Sequence, residues 1–307
     1  MSAAPTSSSN SAAQRRLRAE QLAATLPPLL VAAERIAATV QQGVHGRRRV
    51  GTGEAFWQFR RYQAGDSPQR IDWRQSAKAD PVFVREMEWA AAQSVWLWRD
   101  ASASMRWRSQ ALWPEKLTQA DLLTLALAVL LVRGGERVAL LGSGQLPGQS
   151  LATLERMALL LERDDPTGGT GDGDATGLPP DAPLPRHAQV IFLGDFLSPL
   201  PQVDAALRRF AERGVRGHIL QILDPAEETL PFAGRIRFEG LEGEGEKLLS
   251  RVEMVRDTYV GRIHAHHEGL AALARSLGWS FAAMRTDRPP QTALLALYLR
   301  LSQAGMR

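Results

Sequence analysis

The chain has 307 residues, room for one or two domains, and with 44% hydrophobic and 23% charged residues it can bury an ordinary globular core. Its 37 basic and 33 acidic side chains leave a net charge of +4, too small over this length to mark a nucleic-acid binder. It has no cysteine, which excludes disulfides, thiolate metal sites and a cysteine nucleophile.

Residues 1–16 are rich in Ser and Ala and read as a disordered tail. Residues 17–42 form an N-terminal helical segment, with a break or kink at Pro27-Pro28 and Leu30, Ala33, Ile36 and Val40 on one face. Residues 43–90 mix glycine, arginine and aromatics and are expected to hold loops and short strands around Phe56, Phe59, Tyr62 and 82–84. Residues 91–307 change rhythm. Strands are predicted at 94–98, 137–141, 188–193, 218–223 and 279–284, and helices at 116–133, 150–163, 201–213, 258–277 and 291–302. Two shorter apolar segments follow residue 225, and 164–186 is a Gly/Pro/Asp loop. Alternation at this spacing predicts an α/β fold, a mostly parallel sheet flanked by helices. The longest apolar run, 122–132, is about half the ~20 residues that cross a bilayer, and no apolar signal core follows the N-terminus. A cytoplasmic location without a transmembrane segment is therefore expected. Only Lys78, Lys116 and Lys247 are lysines, leaving 37 − 3 = 34 arginines, which reads as a compositional bias.

Ligands of such sheets gather at the carboxyl ends of the strands. The first of these ends carries Asp100-Ala-Ser102-Ala-Ser104, in which alternate residues of a turn can bring one carboxylate and two hydroxyls together. A later strand ends at Asp195. Two carboxylates and two hydroxyls at one spot form a hard-oxygen set suited to magnesium, manganese or calcium. The plainer reading of the same residues is that they are turn formers and helix caps.

Asp100-x-Ser102-x-Ser104-Met105, following an apolar strand, resembles the first motif of a von Willebrand factor type A domain. Gly51-x-Gly53-Glu54-x-Phe56, Arg61-Tyr62-x-x-Gly65-Asp66, Arg70-Ile71-Asp72-Trp73-Arg74 and Ser76-Ala77-Lys78 run in order ahead of it, followed by Val84-Arg85-Glu86 and Glu88. This series resembles the bacterial family known as domain of unknown function 58 (DUF58), as do Asp224-Pro225-Ala226-Glu227-Glu228, Pro231-Phe232 and Gly234 further on. The resemblance implies a von Willebrand A-like, Rossmann-like domain with a metal-ion-dependent adhesion site. Carried over, Asp100, Ser102 and Ser104 are metal ligands, Asp195 binds through water, and Thr170, with Thr167 as the alternative, supplies the threonine. It also implies a divalent cation, Mg2+ first, whose open position takes a partner's carboxylate, and a MoxR-type AAA+ ATPase as partner. Arg60, Arg70, Trp73 and Arg74 are candidates for a docking surface, set against the reading that charged residues of 54–88 pin that segment by ion pairs.

Other motifs carry less. Asp172-Gly-Asp174-Ala-Thr176-Gly177 opens like an EF-hand loop, but its twelfth position is Pro183 rather than Glu. His264, His266 and His267 lack the i, i+4 spacing of zinc helices. The expectation is a non-enzymatic, metal-dependent interaction protein. Its rivals are a metal-assisted phosphoester hydrolase, disfavoured because Ser102 stands where such enzymes usually carry a second Asp, and a metal-free scaffold.

Overall fold

Short apolar runs separated by helical stretches pair side by side into one parallel sheet. The computed structural model describes residues 28–45, 55–62, 71, 73–77, 82–88, 94–162, 177–241 and 245–304. Helix α1 (Pro28–His45) comes first, then strand β1 (Ala55–Arg61), the one-turn helix α2 (Trp73–Ser76) and strand β2 (Phe83–Glu88). β1 and β2 pair antiparallel as a separate two-stranded ribbon, with a bulge between Phe56 and Gln58. The tail at 1–16 lies outside the described residues.

The main body then runs β3 (Ser94–Arg99), α3 (Lys116–Arg133), β4 (Arg137–Leu140), α4 (Leu151–Glu162), β5 (Gln189–Gly194), α5 (Leu200–Glu212) and β6 (Arg216–Leu223). After the short helix α6 (Pro225–Thr229) and the hairpin β7 (Ile236–Glu239) and β8 (Glu246–Leu249) come α7 (Glu253–Ser276), β9 (Ser280–Arg285) and α8 (Pro290–Ala304). The sheet order is β4-β3-β5-β6-β9 and every neighbouring pair is parallel. The predicted fold class holds: a five-stranded parallel sheet with helices on both faces, a Rossmann-like arrangement. Helix α7 begins five residues earlier than its apolar pattern, because its first turns are largely exposed, and the expected helical segment at 17–42 is described from Pro28 to His45, its earlier residues lying outside the described ones.

Side chains alternate across the sheet with the two-residue period of a strand. Val95, Leu97, Ile191, Leu193, Leu220 and Ile222 point to an aliphatic layer shared with α1, α3, α4 and α8. Trp98, Val190, Phe192 and Ile219 point to an aromatic layer with α5 and α7. α3 is apolar nearly all round, as a helix must be when the sheet covers one side and α1 the other. In the aromatic layer Trp279 stacks on Phe192 at 5.6 Å, and its indole lies over Gly217, where any Cβ would come within 2.1 Å of it.

The helices that follow β3 and β5 depart to opposite faces, α3 to the aliphatic layer and α5 to the aromatic one. The crevice between these two neighbouring strands is thus a topological switch point, where open α/β sheets receive their ligands.

Candidate functional site

Three adjacent strands, β3, β5 and β6, each run directly into an aspartate: Asp100, Asp195 and Asp224. All three are buried. Asp100 closes the turn after β3 on itself, its Oδ1 accepting the Ser102 N–H at 2.8 Å. Met105, fully buried in the aliphatic layer, pins the far side of that turn. The alternate positions do point the same way: Ser102 Oγ and Ser104 Oγ lie 3.0 Å apart. Ser104 Oγ donates to Asp195 Oδ2 at 2.7 Å and so joins the β3 loop to the β5 loop. Asp100 packs so tightly on the end of β5 that a Cβ on Gly194 would fall 2.8 Å from its own Cβ.

The sequence reading brought Asp100, Ser102, Ser104 and Asp195 together, and the fold does the same. It did not foresee Lys116. This first residue of α3 is returned to the strand ends by the 101–115 loop, is fully buried, and donates from Nζ to Asp195 Oδ2 at 2.8 Å and to Glu227 Oε1. Burial opposes its charge, but the Asp195 and Glu227 carboxylates outweigh burial and hold the amine above its ordinary range. Burial pushes the Glu227 carboxyl upward while Lys116 pulls it back. Both Glu227 oxygens act as acceptors, from Lys116 and from the Asp224 N–H, the pattern of an ionised group.

Asp224 caps α6 through Ala226 N–H, and its two oxygens also take the Ser109 hydroxyl and N–H. Asp-x-x-Glu at 224–227 is a capping-box spacing, a local signal that could have found Glu227. Lys116 had only a faint signal: a lysine kept in a chain that otherwise uses arginine.

The loop after β5 is braced from behind. Phe196 sits at φ 51°, a left-handed conformation that costs a non-glycine residue energy and needs outside support. That support comes from α7, where His266 Nε2 donates to the Phe196 carbonyl at 2.6 Å. His267 Nδ1 donates to Gln221 Oε1 at 2.9 Å, and Gln221 Nε2 in turn donates to the Asp195 carbonyl at 2.9 Å. These histidines brace a loop, while His264 stays exposed beside Glu268.

A small dication surrounded by oxygens at 2.0–2.1 Å sets adjacent ligands about 3 Å apart, which matches the two serine hydroxyls. A Cβ on Gly177 would lie 3.4 Å from Asp100 Oδ2 and 3.6 Å from Ser102 Oγ, so the glycine leaves a small polar cradle over them. Asp195 and Glu227 share the single amine of Lys116. On donor type and spacing the residues fit a divalent cation, which Asp100, Ser102 and Ser104 would hold with Asp195 behind. Among the described residues no group of three or more His, Cys, Asp or Glu side chains could hold a metal ion, so an ion here would depend on the serines. Thr170, Thr167 and the EF-hand-like stretch up to Thr176 lie outside the described residues.

One expectation is corrected on burial: Asp100 is 1% exposed and Asp195 3%, so these two carboxylates do not face solvent, as a partner's carboxylate entering at the ion would require. Of the predicted docking residues, Trp73 is 67% exposed and Arg74 also faces solvent on α2. Arg60 lies in β1, and Arg70 lies outside the described residues.

The model of the family described as "Protein of unknown function DUF58" matches residues 58–269. The chain belongs to the DUF58 family. An uncharacterized protein of Mycobacterium tuberculosis is 27% identical over 276 residues, covering 87% of this chain and 86% of its own length. An uncharacterized protein of Mycobacterium bovis matches over the same span with the same identity. Among solved structures, the conserved hypothetical protein BatB from Bacteroides thetaiotaomicron aligns at 15% identity and TM-score 0.35. An aerotolerance-related membrane protein from Bacteroides fragilis aligns at 17% and 0.39. Each covers 69% of this chain and 100% of the solved chain. An uncharacterized membrane spanning protein from Vibrio fischeri is more distant, at 13% and 0.17.

These findings correct two expectations. The cytoplasmic location expected from the sequence is not carried further; two of the three solved chains named above are described as membrane proteins. The MoxR-type ATPase partner is not carried further either; the relatives and solved chains named above are described without one. No helix among the described residues is long and apolar enough to cross a membrane.

Proposed function

We propose that this DUF58 protein is a non-enzymatic interaction module of the von Willebrand A-like kind, whose carboxyl edge is organised by a divalent cation. The observation that carries the reading is the meeting of Asp100, Ser102, Ser104 and Asp195 at the switch point, with Ser104 bridging to Asp195 at 2.7 Å. A bound Mg2+ would supply charge neutralisation and a rigid cross-link between the β3 and β5 loops. Asp100 and the two serines would hold it directly, and Asp195 would orient the ion's water. Buried in this way, the ion shapes the loops and does not itself touch a partner. Contact falls to the exposed loops beside it, where Leu112, after β3, is 92% exposed and Leu146, after β4, is 85% exposed. Large apolar side chains held in solvent are ready contact points for another protein.

Calorimetric titration with Mg2+ and Mn2+ tests this. One saturable site per chain is expected in the native protein, lost in Asp100→Asn with the circular dichroism spectrum unchanged. A second reading, a metal-free scaffold, is favoured by Lys116, which already neutralises Asp195. No heat of binding from either metal in the native protein would leave that reading standing.

A further inference from the structure

Lys116 contributes a positive charge to a site that fits a metal. We infer that Lys116 is the resident counter-ion of this site and sets how tightly a divalent cation is held there; the inference rests on the cation reading above. Its Nζ and the Ser104 hydroxyl share one atom, Asp195 Oδ2, at 2.8 and 2.7 Å. An ion seated on Ser104 therefore finds the carboxylate behind it already engaged by an ammonium. Two cations placed on either side of one carboxylate oxygen repel each other, and burial leaves little water to screen them.

The charge count gives the repulsion a direction. Lys116 places one positive charge between the Asp195 and Glu227 carboxylates. Without the amine, these carboxylates keep their negative charge with no ammonium beside them and draw the dication in more strongly. Without amine or ion, the buried Asp195 and Glu227 lose the charge that joins them, and the fold leans on the metal. The residue type fits this task. A compact ammonium with three rotatable donors reaches two carboxylates from different loops at once.

Lys116→Met tests the inference, with Mg2+ titrated calorimetrically and thermal melts recorded in Mg2+ and in chelator. Mg2+ should bind at least tenfold more tightly than to the native protein. The melting temperature should fall in chelator and recover in Mg2+. If the variant needs Mg2+ merely to refold, rescue by Mg2+ but not by matched NaCl is the same result. Lys116→Met combined with Glu227→Gln removes one charge of each sign. It should fold in chelator and bind Mg2+ within about threefold of native affinity. Native binding with equal or weaker binding by Lys116→Met, or loss of binding in the double variant, overturns the role of Lys116 and leaves the cation reading intact. Binding by Lys116→Met but not by the native protein supports the counter-ion and overturns a native metal site. Binding by none of the three overturns both.

Discussion

Arg99 and Lys116 are both fully buried cations near the carboxyl edge of the sheet, and the fold treats them differently. Arg99, the last residue of β3, reaches into the aliphatic layer and pairs through Nε with Asp121 of α3 at 2.8 Å. Its Nη1 and Nη2 have no hydrogen-bond partner. Lys116 engages carboxylates 79 and 111 residues away in sequence. The arginine ties one helix to the strand just before it. The lysine ties the start of α3 to the β5 loop and to α6. A compact charge met by two acids can serve as a long-range clasp, whereas a planar fork with spare donors serves as a local peg.

The contrast is broken most directly at Lys116. Lys116→Ala, measured by urea unfolding in chelator, should lose about 3–5 kcal/mol, because it strands buried carboxylates. The next effect comes from a buried base with no acid beside it. His218 bonds Ser280 through Nδ1, and burial, with Arg300 nearby, lowers its pKa from 6.5 to about 4. The sign follows from linkage. Above pH 6.5 the ring is neutral whether folded or unfolded and costs nothing. Between pH 6.5 and 4 the unfolded chain takes the proton first, so stability falls, in all by about 3 kcal/mol. His218→Gln should remove this component from a comparison of unfolding at pH 7 and pH 4. An unchanged pH profile would mean that a buried base here tolerates charge without an acid.

Arg99→Met should cost less, about 1–2 kcal/mol, since it discards guanidinium donors that lack hydrogen-bond partners and Asp121 keeps a further interaction. A loss as large as that of Lys116→Ala would erase the distinction between clasp and peg. The exposed pair of Arg208 with Asp204 on α5 is the baseline: Arg208→Ala should leave the unfolding midpoint unchanged within error.

Much of this was written locally. The two-residue alternation around 95–98 and 190–193 fixes which side chains enter which layer, and the alternate spacing of Asp100, Ser102 and Ser104 fixes their common direction. Both depend on neighbours in the chain. The clasp was not legible, because it depends on where a fifteen-residue loop returns the chain and on partners from α6. Two of the three histidines of α7 hold the β5 loop. Their work on the β5 loop is set by helix packing and not by spacing. The approach of Gly177 to Asp100 and Ser102 was not legible either, because it falls in a stretch whose composition signals only a loop.

Helix α1 carries a practical consequence for anyone dividing this chain. Leu30, Ala33, Ala37 and Val40 are 0 to 4% exposed and belong to the same aliphatic layer as α3 and α8. A fragment started at the first strand of the main sheet would lay that stripe of α3 bare to water. It should precipitate or self-associate on expression, while one that retains residue 28 onward should stay monodisperse by size-exclusion chromatography.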